Sequence, residues 1–98
     1  MTVTGNGHLC IGGCDVCELS QLSPYPIYVL DEALVRSNMQ TYRHALSKYY
    51  PRAGYVYYAS KAMMNSAICT IAEQENMGLD ISSGGELYTA LSCGFPWQ

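Results

Sequence analysis

Basic residues are scarce in this sequence: two lysines and three arginines stand among 98 residues, against eight acidic ones, and the net charge is −3. No group of them could follow a phosphate backbone, so we expect no nucleic-acid partner. Apolar runs of about 18 residues are also missing, so we expect no membrane span. The first residues lack the basic and then apolar stretches of a secretory signal, which leads us to expect a cytoplasmic location.

Cysteine is present in an odd number, five, without a secretory signal. A disulfide framework is therefore not expected, and the thiols are predicted to be reduced. We expect Cys69 and Cys93 to be small buried residues on helices.

Strand-like and helix-like patterns alternate along the chain with a repeat of about 25 residues. Residues 1–8 are polar and glycine-rich, and we expect them to be a loose lead-in. The predicted strands are LCIGG (9–13), IYVL (27–30), YVYYA (55–59) and LDIS (79–82). The predicted helices are VCELSQL (16–22) after the N-cap Asp15, a long amphipathic one from the N-cap Asp31 towards Pro51, one around 64–75, and one from the N-cap Ser83 to Gly94.

Such alternation predicts an α/β fold with a parallel sheet and right-handed crossovers. Three strand–helix units are too few to close a sheet, whereas a (β/α)8 barrel needs about 250 residues. We therefore expect residues 1–26 to be an N-terminal lead-in, with a short strand and helix. Residues 27–98 are then the incomplete front portion, about three βα units, of a barrel domain.

Lys61 is the strongest candidate for chemistry. It follows the predicted strand YVYYA directly, at the carboxyl end where parallel-sheet enzymes place their reactive groups. Neighbouring tyrosines would partly shield its amine from water and favour the neutral nucleophile. From position alone, a surface lysine at the end of a strand is the favoured interpretation.

The segment YYASKA, followed about twenty residues later by GLDISSGGELYTALSCGFP, resembles the amino-terminal part of the diaminopimelate decarboxylases. These are pyridoxal-phosphate enzymes with an alanine-racemase-like barrel, related to the ornithine and arginine decarboxylases. The lead-in GHLCIGGCDVCELSQLSPYPIYVLDEALVRSN is similar to theirs as well. The resemblance covers residues 7 to 96, and it implies a pyridoxal 5'-phosphate cofactor.

The resemblance also implies roles for individual residues. Lys61 matches the lysine that bonds covalently to pyridoxal phosphate, and Ala59 matches the small residue near it. Asp80 matches an aspartate close to the cofactor. Glu86 matches the acid of the SGGEL motif; a catalytic role and a structural one, as the partner of Ser83 in a capping box, are both open.

The activity that the resemblance implies is the conversion of meso-2,6-diaminopimelate to L-lysine and carbon dioxide, the last step of lysine biosynthesis, by a homodimer acting on a small-molecule substrate. The substrate could instead be ornithine, arginine or carboxynorspermidine. We expect the phosphate-binding and substrate-recognition residues to lie beyond Gln98 and the isolated chain to be inactive. A non-catalytic truncated fragment is the alternative from another class.

Three cysteines, Cys10, Cys14 and Cys17, are spaced C-x3-C-x2-C, as in radical S-adenosylmethionine enzymes that hold an iron–sulfur cluster. The glycines and aspartate of this segment match the decarboxylase lead-in without any metal. Cys10 is also predicted on a strand and Cys17 on a helix, whereas cluster ligands usually share a loop. We therefore expect no metal site.

Overall fold

A computed structural model of the chain describes residues 1–96. It divides into two compact units, one formed by Met1–Ser37 and the other beginning at Asn38. The sequence predicts a boundary after residue 26, between the lead-in and the barrel domain, and this boundary stays a prediction. No helix within the described residues is long and apolar enough to cross a membrane.

The first unit contains a three-stranded antiparallel sheet of β1 (Thr2–Val3), β2 (Leu9–Ile11) and β3 (Cys14–Asp15), in that order. β2 and β3 form a tight hairpin around Gly12 and Gly13, whose φ angles of 58° and 81° suit glycine. The expectation of a loose lead-in is wrong for Thr2–Val3. These residues pair with Leu9 and Cys10, since the turn from Thr4 to His8 folds the chain back.

The helical segment after the hairpin is confirmed as α1 (Val16–Leu19) followed by a 3₁₀ turn (Ser20–Leu22). Asp15 caps it, because Oδ1 of its side chain accepts a hydrogen bond from the Cys17 backbone N–H at 2.8 Å. Oδ2 of the same carboxylate lies 2.8 Å from His8 Nδ1. This contact with His8 is the main reason why the pKa of Asp15 lies below its usual value.

The predicted strand at residues 27–30 is not formed. Tyr28 is 94% exposed there, and the segment has no partner strand within the described residues. The long helix after it is confirmed as α2 (Glu32–Tyr49), which ends two residues before Pro51. Its predicted N-cap is also confirmed, since the Asp31 side chain accepts a hydrogen bond from Leu34 N at 3.1 Å.

The second unit contains β4 (Tyr57–Ala59), α3 (Ser66–Gln74), β5 (Gly78–Asp80) and α4 (Gly84–Ser92) in chain order. β4 and β5 pair in parallel through the α3 crossover, as the alternation predicted. The side chains that form the core all belong to this unit: Met39, Ile68, Cys69, Ile71, Ala72, Met77 and Ala90.

The cysteines are free thiols, as expected. Cys69 is buried on α3, which confirms its prediction, whereas Cys93 just beyond α4 is half-buried. Burial raises the pKa of the Cys69 thiol to about 12, with a further contribution from the neighbouring Cys93 thiol. The fold class is thus a mixed α/β arrangement of small sheets and helices.

Candidate active site

Lys61 lies in a tight turn directly beyond the carboxyl end of β4. The turn is closed by a hydrogen bond of 3.0 Å from Ala62 N to the Ala59 carbonyl, with Ser60 and Lys61 in its two central positions. Such a bond between residues three apart defines a β-turn. The chain therefore leaves the strand abruptly and holds the lysine at the edge of the sheet.

The last residues of the two parallel strands meet at this edge. Register places Ala59 opposite Asp80, and one further hydrogen bond, from Ser60 N to the Asp80 carbonyl at 3.0 Å, extends the ladder into the turn. Because parallel strands end at the same edge, three of the predicted site residues, Ala59, Lys61 and Asp80, come together in the fold.

The surroundings of Lys61 differ from the prediction. Its side chain is exposed, so the expectation that tyrosines shield the amine from water is wrong within the described residues. Tyr57 is itself 64% exposed, and the Tyr58 hydroxyl donates a hydrogen bond of 2.8 Å to the Met63 carbonyl. Neither ring buries the lysine, since Lys61 is exposed. The Lys61 amine makes no hydrogen bond or ion pair with residues 1–96.

Ser60 is a feature of the site that the sequence did not reveal. Its side chain is only 1% exposed, and its Oγ has no hydrogen-bond partner among the described residues. A buried hydroxyl without a partner is unusual in a folded protein, because desolvation is not offset. The sequence pattern carried no signal for this burial, because Ser60 lies in the turn beyond β4 and not on the strand itself.

The segment after the turn is held at two points. The Tyr58–Met63 hydrogen bond is the first, and the second is the N-cap of α3, where Asn65 Oδ1 accepts from Ile68 N at 2.9 Å. Lys61 is thus placed between a paired strand and a capped helix. The strand fixes the backbone before Lys61, and the helix fixes the backbone after it.

Glu86 has a structural contact in the fold. Its Oε2 accepts a hydrogen bond from Ser82 N at 2.6 Å, and its own backbone N–H donates to Ser83 Oγ at 3.2 Å. This is a capping box in which the glutamate reaches one residue further back than usual. The pairing of Ser83 and Glu86 that the sequence predicted is confirmed, while the catalytic interpretation has no contact that supports it within the described residues.

The three amino-terminal cysteines do not gather as cluster ligands would. Cys10 pairs with Asp15 across the hairpin, while Cys14 pairs with Ile11 and so projects to the other face of the sheet. Among residues 1–96, the one group of three convergent histidine, cysteine or acidic side chains contains only Cys17 of the three. The iron–sulfur interpretation therefore has no support in the fold.

Comparison with known proteins identifies the family. Residues 32–98 match the family model described as "Pyridoxal-dependent decarboxylase, pyridoxal binding domain". The chain belongs to this family. The matched region contains Lys61, Asp80 and Glu86, together with the whole of β4, α3, β5 and α4.

Curated relatives extend the similarity into the first unit. The chain is 46% identical to the diaminopimelate decarboxylase of Bacillus methanolicus over 96% of its own length, and 44% identical to that of Synechocystis sp. over 92%. The enzyme of the same name from Bacillus subtilis is 44% identical over 93%. The chain spans about a fifth of the length of these relatives.

Proposed function

We propose that this chain supplies the cofactor-binding lysine of a pyridoxal-phosphate-dependent decarboxylase that converts meso-2,6-diaminopimelate to L-lysine and carbon dioxide. The observation that carries the proposal is the position of Lys61, a free amine at the carboxyl end of a parallel strand pair inside the region that matches the pyridoxal binding domain. The shared name of the relatives favours diaminopimelate as the substrate.

Lys61 would hold the cofactor through a covalent bond between its Nζ and the cofactor aldehyde. The residues present fit this task, because the amine is exposed and has no partner among residues 1–96. When bound, pyridoxal phosphate supplies the electron sink for loss of the substrate carboxylate. The chain's own contribution is to orient the amine through the turn and the bond from Ser60 N to Asp80.

Ala59 and Asp80 have supporting roles in this proposal. Ala59, the last residue of β4, leaves room beside the lysine because its side chain is a single methyl group. Asp80 ends the neighbouring strand with an exposed carboxylate that carries negative charge at the same edge. For Glu86 we propose a structural role, since its carboxylate accepts a backbone hydrogen bond at the start of α4.

Larger features of the proposal concern the whole protein. β4, α3, β5 and α4 are taken as early βα units of a (β/α)8 barrel, which the parallel pairing supports. The remaining barrel strands, a cytoplasmic location and a homodimer are parts of the same proposal.

Chemical labelling tests the lysine. The chain is incubated with pyridoxal phosphate, treated with borohydride to make the linkage irreversible, digested, and mapped by mass spectrometry. We expect the label on Lys61 rather than on Lys48, the only other lysine. Lys48 is a matched control, because its amine lies 5.1 Å from the centre of the Tyr49 ring, away from a strand end.

Two variants complete this experiment. Lys61→Arg should abolish specific labelling, whereas Lys48→Arg should leave it unchanged. Equal labelling of both lysines, or labelling of Lys48 alone, would contradict the proposed site.

Activity is tested in the full-length protein. Carbon dioxide release from diaminopimelate should exceed that from ornithine or arginine, and Lys61→Ala should abolish it while far-ultraviolet circular dichroism stays unchanged. Preference for ornithine or arginine would overturn the substrate and leave the lysine assignment intact. A full-length protein that binds the cofactor at Lys61 but releases no carbon dioxide from any of the three would favour a non-catalytic role.

A further inference from the structure

We propose that the first unit holds a zinc site formed by His8, Asp15 and Cys17. One ligand atom from each residue, an imidazole nitrogen, a carboxylate oxygen and a thiol sulfur, lies within 4.8 Å of the others. No other group of three or more such side chains converges within residues 1–96. The site involves neither Lys61 nor any other residue of the proposed active site.

The three donor types suit zinc. Imidazole nitrogen, thiolate sulfur and carboxylate oxygen are the ligands that Zn²⁺ takes in proteins, and a thiolate with a carboxylate would balance its double charge. Three protein ligands leave one tetrahedral position, which water would fill. Calcium and magnesium are not expected, because both prefer oxygen ligands throughout.

The distances require only a small adjustment. Zinc bonds of about 2.0–2.3 Å in a tetrahedral site set the ligands roughly 3.3–3.8 Å apart. The widest separation of 4.8 Å must therefore shrink by about 1 Å. Cys17 can supply this movement by rotating its exposed side chain, while the contact of 2.8 Å between His8 Nδ1 and Asp15 Oδ2 must open by about 0.5 Å.

The hairpin register explains why these residues meet. Cys10 lies opposite Asp15 and Ile11 opposite Cys14, so the residue before β2 approaches the residues that follow β3. A turn holds the backbone of His8 in place. Thr4 Oγ1 accepts a hydrogen bond from His8 N at 3.1 Å, and Thr4 N donates one to the His8 carbonyl at 2.8 Å. The ligands thus come from both arms of a hairpin closed by hydrogen bonds.

The neighbouring groups hold the ligands in position. Asp15 uses Oδ1 to cap α1 at the Cys17 N–H, which leaves Oδ2 for the metal. Metal binding would replace the hydrogen bond between Asp15 Oδ2 and His8 Nδ1. The metal-bound water could then donate a hydrogen bond to the Asp15 carboxylate. If the His8–Asp15 pair had a purely structural role, the Cys17 thiol would not be needed. Substitution of Cys17 therefore distinguishes a metal site from a structural contact.

Cobalt titration of the full 98-residue chain tests the site. Co²⁺ replaces Zn²⁺ in such sites, and a cobalt–thiolate bond gives a charge-transfer band in the near ultraviolet. The chain is kept reduced with a phosphine. We expect one equivalent of Co²⁺ to bind, and one equivalent of Zn²⁺ to bleach the band.

Variants show which residues bind. Cys17→Ser should abolish the charge-transfer band, and His8→Asn should weaken cobalt binding at least about tenfold. Asp15→Asn should weaken it similarly while keeping the helix cap, because asparagine caps as well as aspartate. Circular dichroism of each variant verifies the fold.

Cys10→Ser and Cys14→Ser are the matched controls, since both thiols lie within eight residues of Cys17 but outside the convergent group. Neither should change the band or the affinity. Loss of the band with Cys14→Ser would mean that cobalt binds the cysteines of an unfolded segment, and this would overturn the site. A band that survives Cys17→Ser, or no saturable binding at all, would overturn it equally.

Discussion

Gly78 is the position at which a single added methyl group should test the strand pairing behind the candidate site. It lies opposite Tyr57 in the parallel register. A Cβ at position 78 would lie 2.5 Å from Tyr57 Cδ1 and 2.6 Å from Cε1, whereas ordinary contact begins near 3.4 Å. The ring must therefore move by about 0.9 Å in the Gly78→Ala variant.

The expected magnitude follows from this movement. Turning the ring away by roughly 20–30° costs on the order of 0.5–1.5 kcal/mol. Loss of the cross-strand contact adds about 0.2–1 kcal/mol. Against this, alanine restricts the unfolded chain and returns about 0.4–1 kcal/mol. The coupling between positions 57 and 78 should thus be about 0.7–2.5 kcal/mol, although the net change of Gly78→Ala alone is smaller.

A double-mutant cycle measures this coupling. Urea unfolding of the chain, followed by far-ultraviolet circular dichroism, gives the free energy of unfolding for the parent, Gly78→Ala, Tyr57→Ala and the double variant. With Tyr57 present, Gly78→Ala should destabilise the chain. In the Tyr57→Ala background, where the ring is absent, the same substitution should stabilise the chain by about 0.4–1 kcal/mol.

Gly85→Ala is the matched control, because a Cβ there meets nothing within 4 Å and Gly85 lies in α4. It should stabilise the chain by up to about 1 kcal/mol, whatever residue occupies position 57. Equal effects of Gly78→Ala in both Tyr57 backgrounds would refute the close approach of the two strands.

Four further predictions concern serine and cysteine. Ser60→Ala should raise the free energy of unfolding by about 1 kcal/mol, because it removes a buried hydroxyl that lacks a partner among residues 1–96. Ser83→Ala should lower the free energy of unfolding by about 0.5–2 kcal/mol, because it removes the N-cap of α4. Urea unfolding measures both changes, and changes of the same sign in the two variants would contradict the roles given to these serines. Near pH 8.5, iodoacetamide should modify exposed Cys14 much faster than Cys69, whose pKa of about 12 keeps the thiol protonated. Because burial raises that pKa above the unfolded value, the Cys69 contribution to stability should be full below about pH 9 and be lost as pH rises towards about 12, as unfolding curves across this range can verify.

Local signals in the sequence predicted several elements well. The N-caps Asp15, Asp31 and Ser83 each accept a hydrogen bond from the helix they begin. Such contacts involve residues only two or three apart, so neighbouring letters are sufficient to predict them. The parallel pairing of β4 and β5 was also predictable, because a helix between two strands forces the crossover.

Predictions failed where a distant partner decides the structure. Residues 27–30 have a strand-like composition, yet a strand needs a neighbour, and none pairs with it in the described part of the chain. Conversely, Thr2–Val3 has too short a pattern to predict a strand, and its pairing with Leu9 and Cys10 creates one. Shielding of Lys61 by tyrosines failed for the same reason, since side-chain directions depend on contacts such as that between Tyr58 and Met63.

The sequence by itself determined the family and the candidate lysine, because both depend on the order and spacing of residues along the chain. Only the tertiary structure decided that Ala59, Lys61 and Asp80 share one edge, that the Ser60 hydroxyl is buried, and that His8 meets Asp15 and Cys17. These are contacts between residues separated along the chain, and they are set by strand register and by burial. The amino-acid sequence specifies the chemistry of each side chain, but it does not give the distance between two side chains.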